Sequence, residues 1–239
     1  MNTSSRKEEQ KKFIFCLDLG QANDWTALLI LERKQMVTTE WISEDPLVIQ
    51  ARDLREKQTY EDAIYHLRYI ERMRNIPYPV VVERTKKVIE HPEIEGRYML
   101  VMDQSGVGRP VYDLFKKAGL QAVGVTITGG NTDRPVSRTE VNVAKTNLVA
   151  ITQVISQTGR LQYAAGLADL DLLRSEIANF RVQVTKNANE IYGAREGQHD
   201  DLILALAMGL WFGEKYGNPP RRATSFNRRV SLEDIFGLG

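Results

Sequence analysis

The hydrophobic pattern of the chain starts with one dense apolar run. Residues 13–20 read Phe-Ile-Phe-Cys-Leu-Asp-Leu-Gly, and a run of this kind that ends at a turn-permitting glycine predicts a buried strand over 13–19. Two further runs, 25–32 and 35–42, follow after short polar or charged turns. Because short connections join antiparallel neighbours, the three segments predict an antiparallel meander.

The next segments have the apolar spacing of helices. Ile64, Leu67 and Ile70 recur every three residues within 60–74, which is typical of one face of a helix. A second helix is predicted over 79–91, where a proline occupies the first turn. We therefore expect two helices between the meander and the next strand.

Two compact apolar runs predict further strands. Residues 98–102 are followed directly by Asp103, and residues 122–128 come after a short predicted helix at 111–117. A strand that is reached through a helical crossover normally lies parallel to the strand with which it pairs. We therefore expect parallel strands beside the strand at 13–19, in a mixed sheet flanked by helices.

The remaining segments predict loops, helices and one hairpin. Residues 202–212 are apolar on every face, and such a helix is buried. In chain order, the other predicted elements are irregular structure at 43–58, a polar flap at 129–138, helices at 139–158 and 167–179, and a hairpin at 180–185 and 190–193.

The composition is that of one globular domain. The 239 residues are 42% hydrophobic and 26% charged with a net charge of +1, which excludes a globally basic coat for nucleic acid. The single cysteine, Cys16, excludes a disulfide framework and fits a reducing compartment. We expect a disordered N-terminus at 1–12, one domain at 13–216 and a basic C-terminal tail at 217–239. The polar N-terminus and the lack of a bilayer-spanning apolar run predict a soluble, cytoplasmic protein.

Carboxylates close two of the predicted strands. Asp18 lies near the end of the first strand, and Asp103 directly follows the strand at 98–102. Because the carboxyl ends of adjacent parallel strands share one rim of the sheet, the two side chains are expected to meet there, where open α/β sheets bind ligands. For a lone aspartate, capping of the following turn is the simpler interpretation.

Two more carboxylates, Asp200 and Asp201, follow His199 and begin the last predicted helix. The helix dipole favours anions at that position, which is enough to explain one of them. Two adjacent like charges repel each other unless a cation lies between them. The pair therefore points to a cation.

Carboxylates from two strands and a buried helix suit a hard metal ion. Mg²⁺ prefers carboxylate and water ligands and completes its shell with phosphate oxygens. Two such ions ~3.5–4 Å apart can activate a water and stabilise the departing 3′ oxygen in phosphodiester hydrolysis. Three histidines, one cysteine and no His-Glu-x-x-His motif argue against zinc chemistry.

Phosphate contacts have weaker sequence signals. The segment Gln-Ser-Gly-Val-Gly-Arg-Pro after Asp103 could hold a phosphate, but it lacks the lysine of a Walker loop, and a simple turn explains it equally well. Sequence-independent DNA binding must come from phosphate contacts. The candidate DNA-binding residues are Ser105, Arg109, Lys145, Arg195 and His199, together with the arginines of the tail.

Five motifs occur in a fixed order within residues 12–215. They are Cys-Leu-Asp-Leu-Gly, Val-Met-Asp-Gln-Ser-Gly-Val-Gly-Arg-Pro-Val, Val-Thr-Ile-Thr-Gly-Gly, Val-Ala-Lys-Thr-Asn-Leu and Arg-Glu-Gly-Gln-His-Asp-Asp-Leu-Ile-Leu-Ala-Leu. In this order they resemble the nuclease domain of the large terminase subunit of tailed bacteriophages. The motifs around Asp103 and Asp200-Asp201 carry most of the resemblance.

The resemblance implies an RNase H-like fold and an endonuclease that uses two Mg²⁺ or Mn²⁺ ions. Such an enzyme cuts concatemeric double-stranded viral DNA during packaging in the host cytoplasm. Matched to the motifs, Asp18, Asp103 and one or both of Asp200 and Asp201 would be catalytic, metal-binding residues. Asp201 is slightly favoured over Asp200 as the direct ligand.

The sequence differs from that of a complete large terminase in its lack of an ATPase motif. A complete large terminase carries an ATPase domain ahead of the nuclease, and this sequence has no Gly-x-x-x-x-Gly-Lys-Ser/Thr motif. We expect either a separately encoded nuclease that works with a packaging ATPase on another chain, or a prophage remnant. The small terminase subunit and the portal are the other expected partners, and no membrane contact is expected.

Two other functions fit parts of the pattern. Actin-like phosphotransferases and ATPases also open with Asp-x-Gly after a first strand, and the glycines after Asp103 resemble their second phosphate loop. These proteins need two domains and a Gly-rich adenosine loop, where this chain has a buried helix. A catalytically silent DNA-binding module of the packaging complex is the third interpretation.

Overall fold

The computed structural model describes residues 4–20, 24–43, 54–105, 108–186 and 200–217. Its strands are β1 Ser4–Asp18, β2 Trp25–Ser43, β3 Leu54–Tyr60, β4 Ile64–Arg74, β5 Tyr98–Asp103, β6 Ala122–Thr128, β7 Arg134–Pro135, β8 Glu140–Ala144 and β9 Leu161–Tyr163. Its helices are α1 Tyr78–Ile89, α2 Gly108–Lys117, α3 Lys145–Gln157, α4 Leu170–Lys186 and α5 Asp201–Tyr216. No helix in the described part is both long and apolar enough to cross a membrane.

All nine strands of the described residues belong to one mixed sheet. Its order is β7-β8-β6-β5-β1-β2-β4-β9, and β3 also pairs with β2. β2 runs antiparallel to β1 and to β4, whereas β5 is parallel to β1 and β6 is parallel to β5. The sheet thus combines an antiparallel meander with parallel strands between flanking helices, which confirms the predicted RNase H-like fold class.

The centre of β1 is buried on both faces because its apolar side chains alternate. Phe13, Phe15 and Leu17 pack with α1 and α2 on one face of the sheet. Ile14 and Cys16 pack with α3, α4 and α5 on the other face. We call the second face the α5 face.

β1 and β2 are longer than the apolar runs predict. β1 begins at Ser4, so the prediction of disorder at 1–12 is wrong for residues 4–12. One strand replaces the two predicted at 25–32 and 35–42. The charged residues between the two runs have partners within the fold: Arg33 Nε donates to the Gly213 carbonyl at 3.1 Å, and Lys34 Nζ lies 3.7 Å from Oε1 of the buried Glu32.

The predicted helix at 60–74 is wrong, because β4 occupies most of it. β4 carries a β-bulge: Tyr69 pairs with Ile30 and Leu67 with Leu31, which leaves Arg68 as the extra residue. A bulge reverses the alternation of side chains beyond it. Leu67 and Ile70 therefore share the α5 face at a spacing of three, which resembles a helix in the sequence.

Three other predictions are wrong in part. The predicted helix at 139–158 begins with strand β8, where Val141 and Val143 alternate into the core. α4 continues to Lys186, so the first arm of the predicted hairpin at 180–185 is helical, and the second arm lies outside the described residues. Irregular structure was expected at 43–58, but residues 54–58 belong to β3.

The other elements are confirmed where the apolar pattern is strongest. They are the strands at 98–102 and 122–128 and the helices at 79–91, 111–117 and 202–212.

The predicted flap at 129–138 is attached to the core through Asp133. Its carboxylate accepts hydrogen bonds from the Ala144 amide (3.0 Å), Asn147 Nδ2 (2.9 Å) and Trp211 Nε1 (2.9 Å). Burial raises the pKa of Asp133, but these hydrogen bonds outweigh it and hold the pKa below its usual value. This segment is therefore fixed to α3 and α5 at its middle.

Candidate active site

Asp18 and Asp103 end two neighbouring parallel strands. Leu17 pairs with Met102 in the β1–β5 ladder, so the residues that follow them lie side by side at the carboxyl end of the sheet. Both side chains lie on the α5 face, because alternate residues share a face and Cys16 and Val101 belong to that core. The structure therefore brings the two predicted strand carboxylates to one rim.

α5 brings Asp200 and Asp201 to the same rim. Asp201 is the first residue of this helix, and Asp200 directly precedes it. The helix lies very close to β1, because a Cβ atom at Gly209 would be only 2.1 Å from Cys16 Sγ. A glycine at this contact lets α5 pack directly on the strand that ends in Asp18.

The pKa shifts indicate that these carboxylates interact with one another. Burial raises the pKa of Asp18 well above its usual range, and the charges of Asp103, Asp201, Asp200 and Glu176 raise it further, in that order. Asp18 is half-buried at the carboxyl end of the parallel strands. Five carboxylates from two strands, α4 and the start of α5 thus act on one another, and we call them the acidic cluster.

Ser105 holds the carboxylate of Asp103. The Ser105 amide and hydroxyl donate to Asp103 Oδ1 at 2.7 and 2.6 Å, and the same hydroxyl accepts from the Ile127 amide at 2.9 Å. Burial raises the pKa of Asp103, these two hydrogen bonds from Ser105 lower it, and the charge of Asp200 raises it, with a net upward shift. Both donors of Ser105 are therefore engaged, and its contact with DNA phosphate stays a prediction.

Two cations of the chain pair with the carboxylates at the start of α5. Arg72 Nη2 lies 3.3 Å from Asp201 Oδ2, and Lys145 Nζ lies 3.6 Å from Asp200 Oδ2. The Arg72 guanidinium stacks 4.3 Å from the ring of Trp25. Arg72 reaches this face only because the bulge at Arg68 reverses the alternation of β4.

The fifth carboxylate, Glu176, was not predicted from the sequence. It is only 7% exposed, and its Oε2 accepts a hydrogen bond from the Ile203 amide at 2.9 Å. Burial raises its pKa to about 7 despite that hydrogen bond, and the charge of Asp201 adds to the shift. A signal was available, because Glu176 interrupts the apolar stripe of α4 formed by Leu173 and Phe180.

The cluster fits a hard divalent cation in the chemistry of its donors. Its side chains offer carboxylate oxygens only, and Glu176 Oε1 is buried with no hydrogen-bond partner among the described residues. As the side chains are placed, however, no three His, Cys, Asp or Glu residues of the described part form a group that could hold a metal ion. The ion pairs with Arg72 and Lys145 engage two of the carboxylates instead.

The raised pKa values predict a protein that loses stability as pH rises. A carboxyl with a raised pKa holds its proton more tightly in the folded state, so no stability is lost below its unfolded pKa. For Glu176 the loss should therefore run from its ordinary value of 4.5 up to about 7, and Asp18 and Asp103 shift in the same direction. We expect the melting temperature in a chelating buffer to fall between about pH 5 and about pH 8.

Thermal melts across this interval test the prediction, and Asp171 supplies the control. Its side chain is 97% exposed on α4, so Asp171→Asn should keep the same pH dependence. A melting temperature that rises from about pH 5 to about pH 8 would contradict the assigned direction of the shifts.

Comparison with known proteins finds a similarity to solved structures. No family model matches the sequence, and no curated protein matches it. The chain is similar to the crystal structure of the large terminase nuclease from thermophilic phage G20c, with a TM-score of 0.49 and 17% identity over 83% of this chain and 81% of that chain. The same nuclease with bound zinc gives a TM-score of 0.44 and 14% identity over 83% and 80% of the two chains. This is the family that the sequence motifs resemble.

The structure describes only some of the predicted DNA-binding residues. Lys145 is the first residue of α3 and reaches the acidic cluster through Asp200. Arg109 belongs to the first turn of α2, but its side chain is outside the described part. Arg195, His199 and the tail arginines lie outside the described residues. DNA binding by all of these residues stays a prediction.

Proposed function

We propose that this chain is a metal-dependent endodeoxyribonuclease that cuts viral DNA during genome packaging. The observation that carries the proposal is the convergence of Asp18, Asp103, Asp200 and Asp201 on one rim of the sheet. Buried like charges are costly unless a cation compensates them. The family resemblance of the motifs around these residues supplies the reaction class.

The acidic cluster would hold the ions through Asp18, Asp103, Asp200 and Asp201. Two Mg²⁺ or Mn²⁺ ions bound there would supply the Lewis acidity that activates a water and stabilises the departing 3′ oxygen. Asp18 and Asp103 contribute fixed positions because each ends a strand of the sheet. Asp200 and Asp201 would release Lys145 and Arg72 on ion binding, and these two cations would then contact the phosphates of the substrate.

The charges of the two aspartates of α5 differ in their effect on the strand carboxylates. The charge of Asp201 raises the pKa of Asp18 more than the charge of Asp200 does, and the charge of Asp200 raises the pKa of Asp103. These effects support a role for both residues in the cluster. Asp200→Asn and Asp201→Asn are therefore both expected to reduce metal binding.

The proposed substrate is double-stranded concatemeric DNA. Its binding would come from phosphate contacts, so affinity should fall as salt rises. A packaging ATPase on another chain, the small terminase subunit and the portal are the proposed partners, in the cytoplasm of the host cell.

Plasmid nicking in a series of metals tests this function. The wild-type protein is expected to nick supercoiled DNA with Mn²⁺ or Mg²⁺ and to be inactive in chelator. Asp103→Asn should lower the rate more than about 100-fold, since even residues that only orient metal ligands contribute about 10–100-fold. Asp171→Asn, which changes an exposed carboxylate that is not part of the cluster, should keep the wild-type rate. Cleavage that persists in chelator or in Asp103→Asn would refute the metal site.

One observation favours the silent DNA-binding module as a second candidate. Arg72 and Lys145 pair with two carboxylates of the cluster, and no metal-holding group is formed by the described side chains as placed. Such a module would retard DNA in a gel at low salt with no cleavage in any metal. ATP binding in the same samples would instead favour the actin-like phosphotransferase.

A further inference from the structure

α5 begins at the acidic cluster without a cap of its own. The first amides of a helix lack partners within the helix, and the side chain of the residue before it normally accepts from one of them. Asp200 holds that position, but its side chain makes no capping hydrogen bond. Its carboxylate pairs with Lys145 instead.

Glu176 supplies the missing acceptor from another helix. Its Oε2 accepts from the amide of Ile203, the third residue of α5, at 2.9 Å. This is one of the amides that a capping side chain usually serves. Glu176 is also 7% exposed, so α4 holds its carboxylate firmly under the first turn of α5.

The buried position of this side chain is costly. Its second oxygen, Oε1, is buried and has no hydrogen-bond partner within the described ranges. A buried acceptor without a partner costs free energy, which an apolar side chain at this place would avoid. The acceptor that Oε2 offers to the Ile203 amide is therefore what Glu176 contributes here.

We propose that Glu176 is a positioning residue, which caps α5 from α4 so that Asp200 and Asp201 are available to bind metal. If Asp200 capped its own helix, its carboxylate would turn toward the Ile203 amide and away from Lys145 and the cluster. Glu176 removes that competition and fixes the first turn of α5. This inference rests on the proposed nuclease function.

Three variants separate positioning from general stability. Glu176→Ala removes the acceptor, whereas Glu176→Gln keeps an oxygen that can accept from the Ile203 amide. Leu173→Val is the matched control, because Leu173 is buried one turn earlier on α4 and makes no contribution to the cap. The measurements are hydrogen exchange of the Ile203 amide without metal, Mn²⁺ affinity by calorimetry, and plasmid nicking against Mn²⁺ concentration.

In Glu176→Ala we expect Ile203 exchange to accelerate by about tenfold and the Mn²⁺ dissociation constant to rise by about tenfold, because the first turn of α5 is no longer fixed. Glu176→Gln should keep both values within about threefold of wild type, and nicking at saturating Mn²⁺ should recover in it. Leu173→Val should lower the melting temperature while Ile203 exchange and Mn²⁺ affinity stay at wild-type values.

The outcomes that overturn the inference are distinct from those that overturn the nuclease. Wild-type Mn²⁺ affinity in Glu176→Ala would overturn positioning while the nuclease stands. Equal losses of affinity in Glu176→Ala and Leu173→Val would overturn it too, because loosening of α4 would then be sufficient. A wild-type protein that neither binds Mn²⁺ nor nicks DNA would overturn both.

Discussion

Asp18→Asn is expected to abolish plasmid nicking and to stabilise the metal-free protein at the same time. Asparagine keeps the shape of the side chain but removes a charge that lies among Asp103, Asp200, Asp201 and Glu176. The loss of activity should exceed about 100-fold, because a ligand contributes at least as much as the residues that orient it. The gain in stability follows from the raised pKa of Asp18, since removal of a charge that is buried and repelled by its neighbours favours the folded state.

The gain should depend on pH in a defined direction. The raised pKa of Asp18 costs the wild-type protein stability as pH rises above the ordinary aspartate value of 3.8, so the melting temperature of Asp18→Asn should exceed that of wild type near pH 8. The difference should shrink as pH falls toward 3.8, where this cost is no longer present. Asp171→Asn should show neither effect. A variant that still cuts DNA, or that melts lower than wild type near pH 8, would contradict the assignment.

Gly209→Ala is expected to destabilise the protein strongly for a single methyl group. The added Cβ would lie 2.1 Å from Cys16 Sγ and 2.9 Å from Leu31 Cδ1, so α5 would have to move away from β1 and β2. Overpacking of this kind costs ~1–3 kcal/mol, and the higher helix propensity of alanine offsets up to ~1 kcal/mol of it. For a chain of this size, each kcal/mol lowers the melting temperature by about 2–4 °C.

A double-mutant cycle with Cys16→Ala tests the cause. Without Sγ, the nearest atom of residue 16 is Cβ, at 3.5 Å from the new methyl, which is ordinary contact. The double variant should therefore be more stable than the sum of the two single changes predicts. Gly130→Ala is the control, because a Cβ there meets only Thr128 Oγ1 at 3.9 Å. If the losses of stability in the two single variants add up in the double variant, contact with Cys16 Sγ is not the cause of the destabilisation.

The apolar pattern predicts the centre of the fold and fails at its edges. β5 and β6 are largely buried, so each has a short, nearly continuous apolar run, which is typical of a central strand. The outer parts of β1 and β2 carry charged side chains, and some of these are paired across strands, as Lys11 is with Glu32. Such pairs join residues far apart in sequence, and no local pattern records them.

The candidate site was predictable where a polar residue is out of place. Asp18 and Asp103 end apolar strands, and Asp200 and Asp201 open an apolar helix, so each departs from its surroundings. Arg72 could not be found in this way, because its segment predicts a helix and its direction depends on the bulge. Glu176 departs from the stripe of α4 as the aspartates do, but its partner, the Ile203 amide, is a backbone group with no sequence signal.

The extra residue at Arg68 decides the sign of the charge beside Asp201. If Arg68 were instead paired in a regular ladder, the alternation of the outer half of β4 would reverse, and Glu71 would lie on the face now held by Arg72. An anion would then face the acidic cluster where a guanidinium neutralises it. The face on which Arg72 lies therefore depends on Arg68 being left out of the ladder, so the pairing register of this strand is as much a part of the site as its side chains.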